Sequence, residues 1–197
     1  MIRSGDPDGS DESEYASDDE VADALRALNE ADYEALMRSA RVRAMGMVGQ
    51  SGEDLLNTAI ERLLEGERRW RRGAPLLAVI RGILRSLSMD WWRREDLVRI
   101  SLEADLALAD GERPGVITGA VDPSPGVERQ LIAKQEMESL REAFGEDEIA
   151  WEIVLALAGG ESPQEIRYAY ELTQTQYDSA LKRIWRLKRK LTGGDGT

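Results

Sequence analysis

The chain has 197 residues, a formal net charge of −12, no cysteine and no histidine. Without those residue types there is no disulfide framework, no thiolate metal site and no imidazole base or ligand; neither a metal, a cofactor nor an enzyme is expected. No apolar run approaches the roughly 20 residues of a membrane helix, and the N-terminus carries no apolar signal core, so a soluble cytoplasmic protein without membrane contact is expected.

The acidic total hides a segregation. Residues 1–35 hold 12 acids and 2 bases, residues 36–100 hold 8 and 13, residues 101–161 hold 14 and 4, and residues 162–197 hold 4 and 7. Local charge therefore decides which partner each block meets. Residues 1–28 read as an acidic, disordered tail, since positions 1–20 are Asp-, Glu-, Ser- and Gly-rich with almost nothing to bury. Such a tail has a sharper use as an internal mimic of nucleic-acid phosphate over a basic face.

Helical periodicity starts near Val21 and is clear after Asn29, an N-cap with Asp32 at the third position; this helix runs toward Met47. Ser51-Gly52-Glu53-Asp54 opens the next helix, with Leu55, Leu56, Ala59, Ile60, Leu63 and Leu64 at helical spacing and Gly66 as its stop. A basic loop follows, Glu67 to Gly73, and Pro75 starts a helix that reaches about Arg94. On that helix Leu77, Ile80, Leu84, Leu87 and Trp91 form a core stripe. Arg81, Arg85, Ser88 and Trp92 form a neighbouring stripe with two readings. Exposed, it suits base stacking and phosphate contact on an unstacked strand. Packed, Trp92 lies at a domain edge with Arg stems over it.

Residues 101–127 are acidic and rich in Gly and Pro, which predicts a flexible linker between two small helical domains, 29–100 and 128–197. The fold class expected is all-α. In the second domain Leu131, Ile132, Met137 and Leu140 share one helix, and Glu146 to Ala158 form another that Gly159 and Gly160 end. Ser162 and Glu165 then form a capping box with Pro163 at the first helical position, and Thr173 and Gln176 form a second box eleven residues on. A short helix, a tight turn and a longer basic helix predict a helix-turn-helix. Tyr177, Ala180, Ile184, Leu187 and Leu191 are its buried stripe. Gln174, Thr175, Asp178, Ser179, Lys182, Arg183 and Arg186 face outward, where the early polar groups suit base edges and the later cations phosphate.

These residues resemble the sigma-70 family of bacterial RNA polymerase sigma factors in its small, two-domain, extracytoplasmic-function-like form, over roughly 29–100 and 128–192. Glu53 to Leu64 is similar to the polymerase-binding helix written D-L-x-Q-E-x-F/A. Leu84 to Arg94 is similar to the R-N-x-x-x-D-x-x-R-R run. Ser162 to Ile166 followed by Leu172 to Tyr177 is similar to S-x-x-E-I and L-x-x-x-x-V/Y. The resemblance implies a non-enzymatic promoter-specificity subunit that binds core RNA polymerase through its β′ clamp and β flap and acts on promoter DNA. It places Asp54, Leu55, Asn57 and Arg62 on the clamp-binding helix. It places Arg81, Arg85, Ser88, Trp91 and Trp92 on the helix that opens the −10 element. Gln174, Thr175, Ser179, Lys182, Arg183 and Arg186 fall on the −35 reader, and the linker would thread the RNA path. The sequence departs from the pattern at Asn57-Thr58, Ser86, Glu171 and Asp178. A monomer is expected when free, and an anti-sigma partner stays open. Two rival readings stand beside this one, a stand-alone dimeric helix-turn-helix regulator and a helical adaptor that binds protein and no DNA.

Overall fold

The computed structural model describes residues 14–108 and 125–193. Among the described residues the chain forms eight helices and no strand: α1 (Asp18–Arg26), α2 (Glu30–Ala44), α3 (Gly52–Leu64), α4 (Leu76–Leu108), α5 (Pro125–Phe144), α6 (Glu148–Ala158), α7 (Pro163–Ala169) and α8 (Gln174–Thr192). The all-α class is as expected, and no helix among these residues is long and apolar enough to cross a membrane.

Helix starts are written in reciprocal caps: Ser17 with Glu20, Asn29 with Asp32, Ser51 with Asp54, Ser162 with Glu165, and Thr173 with Gln176. In each, the cap side chain accepts from the third helical N–H and the third side chain accepts from the cap N–H, which satisfies two otherwise orphaned donors. Replacing such a cap by alanine costs about 1 kcal/mol.

Two apolar clusters hold the helices. The larger joins α1 to α4 around Leu36, Leu56, Leu63, Ile80 and Leu84, all fully buried or nearly so. The smaller joins α6, α7 and α8 through Ile153, Ala156, Ile166, Tyr177 and Ala180. Each large aliphatic side chain so buried contributes about 1.5–3 kcal/mol. Gly52 permits the close crossing of α2 and α3, because a Cβ there would lie 2.8 Å from the Arg41 Cα.

Three elements differ in extent from the expectation. Of the expected tail, residues 18–26 are helix α1, and Val21 sits in the larger cluster; residues 1–13 lie outside the described residues. Helix α4 does not stop near Arg94 but continues to Leu108, and α5 starts at Pro125. Of the expected linker, 109–124 lie outside the described residues. The continuation past Arg94 has a partner: Lys134 of α5 donates to Glu95, and Arg141 of α5 donates to Asp96 at 3.0 Å.

The N-terminal helices α1–α4 and the C-terminal helices α5–α8 touch directly, α2 against α6 and α4 against α7. At the end of α6 a Cβ on Gly159 would lie 3.0 Å from the Ser39 Oγ, so the glycine permits the approach to α2.

Candidate nucleic-acid interface

On α3 the cap geometry fixes Asp54, whose carboxylate accepts from the Ser51 hydroxyl at 2.6 Å and the Ser51 N–H at 2.9 Å. Those bonds hold its carboxyl below the ordinary range. Asp54 and Asn57 are exposed and stand on the solvent face of the helix. Leu55 is 3% exposed and belongs to the core, and Arg62 turns along the surface to Glu67 at 3.5 Å. The structure therefore brings Asp54 and Asn57 to a shared surface and places Leu55 behind it.

The α4 stripe is not open to solvent, so of its two readings the exposed one does not hold in the free chain and the packed one does. Arg81, Ser88 and Trp92 are 5%, 3% and 6% exposed, and Arg85 and Trp91 are half-buried. The Arg81 Nη1 donates to Glu165 at the start of α7. The Arg85 Nη1 donates to the Ala169 carbonyl at 3.3 Å, and its guanidinium sits 4.6 Å from the Tyr170 ring centroid. Ser88 donates to the Arg85 carbonyl within the helix. Trp91 and Trp92 meet edge to face at 4.9 Å, with Lys134 over the first and Arg141 over the second. Against the stripe stand Glu165 of α7, the Tyr170 ring at the end of α7, and Lys134 and Arg141 of α5.

Beside it lies a charge cluster absent from the expected site residues. Arg43 of α2 is buried, donates to Glu152 at 3.0 Å and to the Tyr170 hydroxyl at 3.1 Å, and that hydroxyl donates to the same Glu152 oxygen at 2.8 Å. Burial is the largest influence on Arg43 and opposes its charge, yet Glu152 and Tyr170 more than reverse it, so its pKa is raised. Burial also pushes the Tyr170 phenol up to about 12, reinforced by Glu152. Next to the cluster, Ser39 donates to Glu161 at 3.4 Å, and burial raises the Glu161 carboxyl against the opposing pull of Arg81 and Arg43. The sequence carries a signal for these groups. Arg43 falls in register with Leu36, Ala40 and Met47 on a core stripe, and Glu152 interrupts the most apolar of the described helices.

On α8 the expected residues Gln174, Thr175, Ser179, Lys182, Arg183 and Arg186 are all exposed. They are not equally free. Gln174 donates to Asp178 at 2.8 Å, which occupies the acid that would repel phosphate. Arg183 reaches back to Asp147, the N-cap of α6, with bonds at 2.5 and 3.0 Å, and it holds the Asp147 carboxyl below its ordinary value. Lys182 and Arg186 make no ion pair among the described residues. Sequence periodicity missed Trp185, which is 62% exposed with Lys188 at 5.2 Å from its ring. The turn into α8 puts Glu171 at φ 51, the left-handed region in which glycine is at ease.

The acidic residues that lead into and open α1 lie on the basic loop between α3 and α4. Glu14 pairs with Arg71 at 2.6 Å and Glu20 with Arg72 at 2.7 Å, while Arg69 sits over the Tyr15 ring. Backbone bonds from Ala16 to Trp70 and from Arg72 to Glu14 fix the register. The Arg72 bond is the largest of the influences that hold the Glu20 carboxyl at about 2.

No family model, curated protein or solved structure matches the chain.

Proposed function

We propose that the chain is a sigma-type promoter-specificity subunit that acts with core RNA polymerase and reads −10 and −35 promoter elements. The observation that supports the reading is the exposed face of α8. Its start is fixed by the Thr173–Gln176 box, its underside is buried through Tyr177 and Ala180, and Thr175, Ser179, Lys182 and Arg186 stand outward on it. Side chains so arranged on one helix, entered through the short α7 and a tight turn, suit a major-groove reader. Covering of the α4 stripe by α5 and α7 fits the same picture. In the free chain that stripe cannot meet an unstacked strand, and a net charge of −12 gives little affinity for DNA at a distance. Docking on polymerase would separate the halves and fix two basic faces at a set spacing, which makes two weak contacts one bivalent contact.

Run-off transcription and footprinting with core polymerase test the proposal. The holoenzyme should protect both elements, whereas the chain alone should protect neither; tight, specific protection by the chain alone would refute it. Replacing Lys182 and Arg186 by alanine should remove −35 protection and leave polymerase binding intact. A stand-alone dimeric regulator is the second reading. It draws on Leu131 and Ile132 of α5, which are 50% and 48% exposed. Light scattering separates the two, because a stable dimer without polymerase favours the regulator.

A further inference from the structure

A cavity of about 300 Å³ lies across the junction of the two halves, walled by α4 on one side and α6 on the other. Its electrostatics are unbalanced. Arg43 at its floor is neutralised by Glu152, but Arg85 on its wall meets no carboxylate among the described residues. The contacts of Arg85 are a 3.3 Å bond to the Ala169 carbonyl and the face of Tyr170. A guanidinium carries five N–H donors in a fork that matches a carboxylate or a phosphate, and a half-buried one without a counter-charge favours an anion beside it. Arg93, at the exposed side of the same cavity, touches Asp90 only at 3.5 Å and supplies a second donor fork.

Trp92 of α4 and Trp151 and Ile149 of α6 contribute apolar wall, and both indoles are largely buried; Arg141 of α5 also lines the cavity, beside the Trp92 ring and paired with Asp96. The volume is at the lower end of the roughly 300–1,000 Å³ of small-molecule sites, enough for one ring system and one acid group. Glu148 lines the cavity as well. It disfavours a second acid group and accepts from a ring N–H or amino group.

We propose that this cavity binds a small, flat aromatic anion, with its acid group on Arg85, Arg93 adding positive charge at the exposed side, and its ring against the walls that Trp92 and Trp151 contribute. A nucleoside monophosphate and an aromatic carboxylate share that chemistry. The ligand touches α4 and α6 together, so its binding ties the two halves. The proposal does not depend on a role in transcription.

Calorimetric titration of the full chain with AMP, GMP, indole-3-acetate and inorganic phosphate tests it. One ring-bearing anion should saturate a single site, with inorganic phosphate about 10-fold weaker or more. The nucleotide and carboxylate arms tell the two sources apart. Arg85→Gln should weaken that binding about 10-fold or more, and so should Ile149→Trp, which fills the cavity from its exposed rim and keeps the buried charges. If Arg85→Gln does not fold, by circular dichroism, Ile149→Trp decides. No saturation by any ring-bearing anion up to about 5 mM overturns the proposal. Phosphate binding as tightly as the ring compounds, or folded variants that bind like the parent, overturn it equally.

Discussion

Replacing Glu152 by alanine should destabilise the protein by about 3–5 kcal/mol, because it leaves the Arg43 guanidinium buried without a counter-charge. The two side chains are 2% and 8% exposed, and their 3.0 Å contact shares one carboxylate oxygen with the Tyr170 hydroxyl. Water reaches the guanidinium only through the cavity whose floor it forms, so most of that loss should remain. The pair as a whole is another matter. Its Coulomb gain is set against the desolvation of both ions, so the double variant Arg43→Met, Glu152→Leu should fall within about 1 kcal/mol of the parent or be more stable by about 1–4 kcal/mol. Urea unfolding followed by circular dichroism reads both. With a slope of about 2 kcal/mol/M, the single variant should shift the midpoint down by about 1.5–2.5 M. A single variant that loses under about 1 kcal/mol would show that the guanidinium finds water. A double variant as unstable as the single one would show that the pair, and not the orphaned charge, is the source of stability. Either result refutes the reasoning.

Glu161→Gln should stabilise the protein at neutral pH. Burial raises the folded carboxyl above its ordinary 4.5, so the protonated form is the favoured one, its contribution is complete below pH 4.5, and it is lost as pH rises through the folded value. The gain should therefore vanish in unfolding measured below pH 4.5. Arg183→Gln should cost about 0.2–1 kcal/mol at neutral pH, the range for partly exposed pairs. Because the Asp147 carboxyl is held below 3.8, that cost should be present above pH 3.8 and disappear as acid protonates the folded carboxylate. Glu14→Gln should release Arg71 toward phosphate. Affinity for single-stranded DNA should rise, and the slope of log affinity against log salt should steepen by about 0.7 for one added phosphate contact. An unchanged slope would show that Glu14 does not compete with nucleic acid for Arg71.

What the sequence reveals of this fold is its local grammar. The boxes at Asn29–Asp32, Ser162–Glu165 and Thr173–Gln176 are readable because a cap and its partner lie three residues apart, and so are the core stripes of α3 and α4. The face of α8 is legible for the same reason, since Tyr177 and Ala180 mark its underside. The setting of the α4 stripe is not. Arg81 finds Glu165 84 residues away, and Arg43 finds Glu152 109 residues away. A stripe of Arg, Ser and Trp reads alike whether a DNA strand or a distant carboxylate neutralises it. The length of α4 escaped for a related reason, as its continuation rests beside Lys134 and Arg141 of a helix far along the chain. Glu171 was legible as a departure at a turn, and its positive φ locates the strain there.

The contacts that join the two halves are not uniform in their sensitivity to ions. Arg43–Glu152 lies buried at the centre, whereas Lys134–Glu95 and Arg141–Asp96 lie toward the edge, with side chains 23–38% exposed. Mobile ions screen exposed charges over about 8–10 Å at ordinary salt and hardly reach buried ones. Raising ionic strength would thus loosen the α4–α5 edge first and leave the α2–α6 centre engaged. At high salt the junction would then rest on its buried contacts, Arg43–Glu152 between α2 and α6 and the largely buried Arg81 against α7.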